Sequence, residues 1–170
     1  LAGIIGAKVD GPNVKVKLTA PENLRQDIDV ELNGTRFQVD SLNTGVPHAI
    51  IYSKNVDENN VKEVGNGVRF HEEFAPAGTN VNFVEKVSDN ALKVRTYERG
   101  VEDETLACGT GVVASVLLSS YKKMVQPPVA VETRGGELLK VDFDPSDSPV
   151  TDVYLEGITR IAFEGTLVEY

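Results

Sequence analysis

Cysteine is nearly absent from this sequence: Cys108 is the single one among 170 residues. A chain with one cysteine cannot close a disulfide on itself, which fits a protein of a reducing compartment, so we expect a cytoplasmic location. No apolar run approaches the roughly 20 residues that span a bilayer. Residues 1–6 also lack the basic region with which a signal peptide begins.

Positive charge is scarce as well. The chain carries 17 lysines and arginines against 26 aspartates and glutamates, so its formal net charge is −9 at pH 7. Nucleic acids and anionic membranes both favour a basic protein face, and this balance argues against either as a partner. The composition is otherwise globular, with 41% hydrophobic residues and enough length to bury a core.

Alternating apolar and polar segments make up most of the chain and predict antiparallel strands joined by tight turns. Asn33-Gly34, the strongest short hairpin signal, separates two such segments at 28–32 and 35–42. The other predicted strands cover residues 1–9, 14–18, 49–52, 81–87, 91–97, 129–133, 137–143, 153–155 and 158–168.

Two segments predict helices. Residues 57–70 have valines at helical spacing, with Asp57 as the expected cap. The second helix begins near Cys108, is small or apolar from 111 to 118, and is ended by Pro127-Pro128. A helix this apolar needs cover on most sides. The predicted fold class is therefore α+β: a mostly antiparallel, strongly curved sheet wrapped around one buried helix, with a second helix outside.

The surroundings of Cys108 suggest chemistry. We expect this cysteine in the first turn of the buried helix, where unpaired N–H groups and the helix dipole make a thiol easier to ionise. The N–H groups of Gly109 and Thr110 can hold a carboxylate there, and glycine on both sides of Thr110 lets a ligand approach the backbone. A lone cysteine is more often a small buried hydrophobe. The preceding Glu98-Arg99 pair and the Gly-Thr-Gly sequence favour the chemical interpretation.

Two polar residues near strand starts have two interpretations each. His48 follows a Gly-Val-Pro turn and leads into an apolar strand, either as a positioned functional group or as a core histidine bonded to the backbone. These alternatives stay equally open on the sequence. Asn80 precedes another strand, where it is either a ligand-binding side chain or an ordinary Asx turn.

Residues 97–100, Tyr-Glu-Arg-Gly, and 104–111, Glu-Thr-Leu-Ala-Cys-Gly-Thr-Gly, resemble the second catalytic segment of the diaminopimelate epimerase family. These enzymes are cofactor-independent racemases with two similar halves, each of which supplies one cysteine from a helix N-terminus. The resemblance implies interconversion of LL- and meso-diaminopimelate in lysine and peptidoglycan precursor biosynthesis. A thiolate on one face of Cα would remove the proton and a thiol on the other would deliver it, with no cofactor and no metal.

The resemblance also implies a role for each site residue. Cys108 would be one member of the acid/base pair, and the backbone of Gly109 and Thr110 would bind the α-carboxylate. His48 and Glu98 would orient the reacting ammonium group. Arg99 and Asn80 would bind the distal end of the substrate, where Arg99 would form a bidentate fork with the distal carboxylate.

The chain departs from the family pattern in two places. Val46 stands where many members have a substrate-contacting asparagine before the Pro-His pair, and the nearest asparagine is Asn43. Gly65-Asn66-Gly67 echoes the family's other catalytic motif but follows Val64 instead of a cysteine, so we interpret it as an accident within a surface helix.

The resemblance thus covers the second half of a two-domain, pseudo-symmetric enzyme. We expect residues 1–9 to link from a missing N-terminal domain, 10–159 to form the C-terminal epimerase domain, and 160–170 to pack as a strand on the missing domain. The expected partners are diaminopimelate and that missing half, with a second copy of the chain as a further candidate. With one cysteine, the chain alone is expected to be inactive.

Two kinds of alternative remain. Proline racemases and phenazine-biosynthesis-type isomerases share the Cys-Gly-Thr-Gly theme, although a second charged end of the substrate, which Arg99 would bind, favours the epimerase. The other alternative is a non-catalytic domain that binds amino acids, which the lack of a second cysteine supports for this chain taken alone.

Overall fold

The computed structural model describes residues 4–147 and 150–168. This part of the chain folds into one eleven-stranded sheet with two α-helices, which confirms the predicted α+β class. The strands are β1 (Ala7–Asp10), β2 (Asn13–Leu18), β3 (Glu22–Leu32), β4 (Thr35–Asn43), β5 (Pro47–Tyr52), β6 (Asn80–Ser88), β7 (Ala91–Glu98), β8 (Asp103–Thr105), β9 (Val129–Thr133), β10 (Leu138–Phe143) and β11 (Val153–Ile158). The helices are α1 (Val61–Arg69) and α2 (Gly109–Tyr121), with short 3₁₀ helices at Val56–Glu58 and Glu72–Phe74.

The sheet is mostly antiparallel, as predicted. Its order is β1-β2-β11-β10-β9-β7-β6-β5-β4-β3, and β8 pairs with β7 off this path. Two pairs are parallel, β5 with β6 and β7 with β9. Parallel neighbours need a crossover, and the two helices supply it: α1 lies between β5 and β6, and α2 between β7 and β9.

The helix α2 is the buried centre of the fold. Residues 111–119 are all buried, and the helix contacts β4, β5, β6, β7, β10 and β11, so the sheet curves around it. Leu42, Ile50, Val94, Val131 and Val153 are among the core residues of this layer. Burying a side chain of this size stabilises the fold by about 1.5–3 kcal/mol. Burial from all sides, and not amphipathicity, therefore holds α2 in place.

The helix α1 packs on the other face of the sheet, against β6 and β7. Successive residues of β5 alternate between the two faces: Ala49 and Ile51 join the α1 cluster, whereas Ile50 joins the α2 cluster. Gly65 lets α1 approach closely, because a Cβ there would lie 2.5 Å from Cβ of Tyr97.

Asn60 is the N-cap of α1, and its side chain accepts a hydrogen bond from the N–H of Glu63. The prediction of Asp57 as the cap is therefore wrong. The 3₁₀ helix Val56–Glu58 occupies that stretch, and the Asp57 carboxylate instead pairs with Lys93 at 2.7 Å.

The Asn33-Gly34 hairpin is confirmed. Both residues have a positive φ, 50° and 78°, as this two-residue turn requires, and Leu32 faces Thr35 across it. The hairpins of β6 with β7 and of β9 with β10 are confirmed as well.

The strand predicted for 158–168 is present only as far as Ile158, where β11 ends, and the packing of 160–170 as a strand on another domain stays a prediction. The last pair between β11 and β2 joins Ile158 to Asn13, and residues 159–168 have no strand beside them in the described chain. That segment exposes Ile161, Phe163 and Leu167. At the other terminus, the first strand begins only at Ala7, and residues 1–3 of the predicted strand lie outside the described residues. None of the helices described is long and apolar enough to cross a membrane.

Candidate active site

Cys108 is the N-cap residue of α2. The sequence predicts it in the first turn of this helix, and the structure places it directly before that turn. Its backbone is extended, with φ −132° and ψ 102°, and its carbonyl accepts the N–H of Val112 at 2.9 Å. The side chain is 8% exposed and makes no capping hydrogen bond. Its sulfur lies 3.6 Å from Oγ1 of Thr110, so the thiol faces the open end of the helix.

Burial raises the pKa of the Cys108 thiol, contrary to the expected easier ionisation. Hydrogen bonds from the Thr110 hydroxyl and the Gly111 N–H lower this pKa, and the negative charge of Glu98 raises it again. The predicted stabilisation by groups at the helix start therefore exists, but desolvation outweighs it. In the chain as described, the thiol form of Cys108 predominates at neutral pH.

His48 is fully buried in β5 beside the start of α2. Its Nε2 lies 3.0 Å from Oγ1 of Thr110, and its Nδ1 lies 3.1 Å from Nδ2 of Asn82. Burial lowers the pKa of His48 from 6.5 to about 3, and the positive charge of Arg99 lowers it further in the same direction. The imidazole is therefore neutral at pH 7.

Asn82 is a member of this site that the sequence analysis missed. It is fully buried in β6, donates from Nδ2 to the carbonyl of Ala49 at 3.1 Å, and accepts the Thr96 hydroxyl at 2.9 Å. The available signal was an asparagine between Val81 and Phe83, inside an otherwise apolar stretch of strand. A buried polar side chain needs partners, so such a position points to a polar cluster.

The structure gives a reason for glycine at position 111 other than the predicted approach of a ligand to the backbone. A Cβ at this position would lie 2.2 Å from Oδ1 of Asn82 and 3.3 Å from Cε1 of His48. Its hydrogen side chain thus admits two protein side chains against the helix start, and not only a ligand. The hydroxyl of Thr44 also holds the start of α2 against the sheet, because it donates to the carbonyl of Thr110 at 2.9 Å.

Asn80 and Arg99 form the neighbouring part of the site. Asn80 is buried at the start of β6, donates to the carbonyl of Pro47 at 3.1 Å, and accepts the backbone N–H of Arg99 at 2.8 Å. The guanidinium of Arg99 donates through Nη1 to the carbonyls of Ala77 and Gly78, at 3.2 and 3.4 Å. Both side chains are therefore held by backbone groups, and Arg99 keeps further N–H groups for another partner.

The fold brings all the residues singled out from the sequence to one end of the sheet. The hydrogen bond between His48 and Thr110, the charge effect of Glu98 on Cys108, and the bond between Asn80 and Arg99 connect them. Their contacts with a substrate stay a prediction. Within residues 4–147 and 150–168, no cluster of histidine, cysteine and carboxylate side chains is arranged to hold a metal ion.

The sequence profile of the family described as diaminopimelate epimerase matches residues 41–154, two thirds of the chain. The chain belongs to the diaminopimelate epimerase family. The diaminopimelate epimerase of Aquifex aeolicus is 46% identical over 99% of this chain and 60% of its own length. That of a Hydrogenobaculum species is 41% identical over 98% of this chain and 60% of its own length. The chain thus spans about 60% of the length of these relatives.

Solved structures with the same fold are more distant in sequence. A probable proline racemase of Agrobacterium radiobacter superposes with a TM-score of 0.69 at 14% identity, covering 93% of this chain and 56% of its own. A phenazine biosynthesis protein of Bacillus anthracis gives a TM-score of 0.60 at 14% identity, covering 91% of this chain and 61% of its own. At such identities the likeness concerns the fold, and it supports the curved sheet around α2 as a shared architecture.

Proposed function

We propose that this chain is the C-terminal part of a diaminopimelate epimerase that interconverts the LL and meso forms of diaminopimelate. The observation that carries the proposal is Cys108 at the open start of the buried helix α2, inside the segment that matches the family. A second cysteine would come from the part of the relatives' length that this chain does not span. In this arrangement residues 1–9 link from the other domain, 10–159 form the C-terminal domain, and 160–170 pack on the other domain.

Inversion at Cα needs one group on each face, one to remove the proton and one to deliver it. Because burial raises its pKa, Cys108 rests as a thiol and can deliver a proton to the face that it meets. The second cysteine removes the proton from the opposite face, and the two roles exchange in the reverse reaction. No cofactor enters this scheme. Both thiols must stay reduced, which a cytoplasmic location provides.

The reacting end of the substrate would bind at the start of α2. The backbone N–H groups of Gly109 and Thr110 donate to no carbonyl within the part of the chain that the structure describes, and the positive end of the helix dipole favours the α-carboxylate. Glu98 would pair with the reacting ammonium group, with His48 behind Thr110 as part of the same wall.

The distal end of the substrate would bind at Arg99, whose remaining N–H groups suit a bidentate contact with a carboxylate. Asn80 contributes to this subsite by accepting the backbone N–H of Arg99. A second charged end is the feature that separates diaminopimelate from proline as a substrate, so Arg99 is the residue that favours the epimerase over a proline racemase.

Deuterium uptake at Cα of LL-diaminopimelate in heavy water tests the proposal. The chain is assayed alone and together with the part of the Aquifex aeolicus relative that it does not span. We expect uptake with inversion only in the mixture, because one cysteine cannot serve both faces. Cys108→Ser should abolish this uptake, whereas Ser120→Ala, near the other end of α2, is the matched control and should leave it unchanged.

Three results would contradict the proposal. Robust turnover by the chain alone would show that a second cysteine is not needed. Exchange of proline in place of diaminopimelate would favour a racemase of the proline or phenazine-biosynthesis type. Binding of diaminopimelate without exchange, in a mixture whose parts associate by sedimentation, would favour a non-catalytic amino-acid-binding domain.

A further inference from the structure

A chain of buried hydrogen bonds extends from β7 to the sulfur of Cys108, and it begins with the amide of Asn82. One amide atom lies 3.1 Å from the carbonyl oxygen of Ala49. A carbonyl oxygen only accepts, so that amide atom is the donor Nδ2. The other amide atom, Oδ1, accepts the hydroxyl of Thr96 at 2.9 Å. The orientation of the Asn82 amide is thereby fixed by its neighbours.

This orientation decides where His48 carries its proton. Nδ2 of Asn82 also lies 3.1 Å from Nδ1 of His48. An amide nitrogen donates and does not accept, so Nδ1 is the unprotonated ring nitrogen. Burial keeps the ring neutral, and the single ring proton is therefore on Nε2. From there it points to Oγ1 of Thr110, 3.0 Å away.

The hydroxyl of Thr110 completes the chain. Since it accepts from His48, its own proton is free for another acceptor, and the sulfur of Cys108 lies 3.6 Å away. With the other tautomer of His48, the hydroxyl would donate to Nε2 and turn a lone pair towards the sulfur. A hydrogen bond to a charged acceptor stabilises the charge, so the tautomer decides whether the thiolate of Cys108 is stabilised.

We propose that Asn82 is a positioning residue for Cys108: it holds His48 as the Nε2–H tautomer, and His48 directs the hydroxyl proton of Thr110 to the sulfur. The catalytic consequence rests on the acid/base role proposed for Cys108, whereas the tautomer does not. Asn82 itself is fully buried, and the hydrogen bonds described for its side chain join it to His48, Ala49 and Thr96 and not to the sulfur.

Nitrogen-15 NMR of the imidazole rings tests the tautomer directly. The chain has two histidines, His48 and His71, so the spectrum of the histidine-labelled chain is simple, and His48→Gln assigns the signals. We expect the His48 ring to carry its proton on Nε2 at pH 7. A proton on Nδ1, or a doubly protonated ring at pH 7, would overturn the proposal without any variant.

Asn82→Asp replaces a donor by an acceptor of the same shape. The ring proton should then move to Nδ1, or the ring should become doubly protonated. Asn66→Asp on α1 is the matched control, because its amide donates to the hydroxyl of Tyr97 on the other face of the sheet. It should leave the His48 signals unchanged. Wild-type His48 signals in folded Asn82→Asp would overturn the proposal.

The hydrogen bond from Thr110 to the sulfur is tested separately, with a variant whose result does not depend on whether Asn82→Asp folds. Thr110→Val removes the hydroxyl that donates to the sulfur. We expect iodoacetamide to alkylate Cys108 about tenfold more slowly at pH 8, because one hydrogen bond to the thiolate is lost. An unchanged rate-against-pH profile would overturn the donation to sulfur.

The positioning and the function can fail separately. In the reconstituted mixture, Asn82→Asp should lower kcat for diaminopimelate exchange and shift its pH profile, which a purely structural defect would not shift. If His48 carries the proton on Nε2 but no exchange occurs, the proposed function falls and the tautomer stands. If exchange occurs while the proton is on Nδ1, the positioning role of Asn82 falls and the function stands.

Discussion

Gly111→Ala tests how α2 is seated against the sheet. The added Cβ would lie 2.2 Å from Oδ1 and 3.2 Å from Cγ of Asn82, and 3.3 Å from Cε1 of His48. Favourable contacts between heavy atoms lie near 3.5–4.0 Å, so either the helix or the amide has to move by about 1 Å. The amide is held by Ala49, His48 and Thr96, and it cannot move that far without losing hydrogen bonds.

Alanine gains about 1 kcal/mol over glycine in a helix. Against this gain, overpacking a well-filled core costs about 1–3 kcal/mol, and each lost hydrogen bond costs about 0.5–1.5 kcal/mol. With two hydrogen bonds of Asn82 lost and the helix gain subtracted, we expect the free energy of unfolding to fall by roughly 1–5 kcal/mol.

Urea unfolding followed by circular dichroism measures this change. Gly109→Ala is the matched control, because among the described residues its Cβ would meet the end of the Leu155 side chain alone within 4 Å, at 3.0 Å. It should change the free energy of unfolding by less than about 1 kcal/mol. A Gly111→Ala variant as stable as the wild type would refute the reasoning.

A double-mutant cycle identifies the atoms responsible. In an Asn82→Ala background the obstructing amide is gone, so Gly111→Ala should cost at least about 1 kcal/mol less than it does in the wild type. Additive effects of the two substitutions would exclude Asn82 as the group that requires glycine.

Three further predictions concern stability and reactivity. The pKa of His48 is about 3 when folded and 6.5 when unfolded. The unfolded chain therefore binds more protons below pH 6.5, and stability is lost as the pH falls from 6.5 towards 3. This loss is about 2 kcal/mol at pH 5. Urea unfolding at pH 8 and pH 5 measures it, and in His48→Gln the free energy of unfolding should differ between the two pH values by about 2 kcal/mol less than in the wild type. Because burial raises the pKa of Cys108, the midpoint of its iodoacetamide labelling rate should lie above that of a cysteine peptide, and a lower midpoint would contradict this. Glu104→Gln breaks the half-buried pair with Arg95 at 2.6 Å and should lower the free energy of unfolding by about 3 kcal/mol, whereas Asp89→Asn at an exposed pair should leave it nearly unchanged.

Local patterns predicted the elements whose causes are local. The Asn33-Gly34 turn requires two residues at positive φ, and few other pairs adopt that conformation easily, so its sequence identifies the hairpin. The apolar run of α2 likewise demands cover from all sides, and the curved sheet follows from that demand.

Elements that depend on partners elsewhere in the chain were predicted less well. Both Asp57 and Asn60 are good cap residues, and the choice between them is made by tertiary contacts: Val56 donates its N–H to Glu85, and Asp57 pairs with Lys93. The apolar residues after Ile158 have a strand-like pattern, but β2 offers no further residues to pair with. A pattern states what a segment can form, and a neighbour decides whether it does.

The candidate site divides along the same line. Cys108, Gly109 and Gly111 were identified from the sequence because the start of a helix after a turn has a local pattern of consecutive residues. The helix start alone favours a lower pKa for Cys108, but the pKa in the folded chain is raised by burial, and burial depends on how far the sheet curves over the helix start. The electrostatics of a helix N-terminus thus gives the sign of one contribution to the pKa shift and not the sign of the total shift.

Asn82 shows what kind of information the sequence withholds. It faces Ile50 across a parallel pair and Thr96 across an antiparallel pair. The antiparallel register follows from a short turn, but the parallel register is set by α1 and the loops around it, which no local signal encodes. Without that register, His48 and Asn82 are two isolated polar residues in apolar strands. With it they become one satisfied network, and burying such a network is favourable only because every member has a partner.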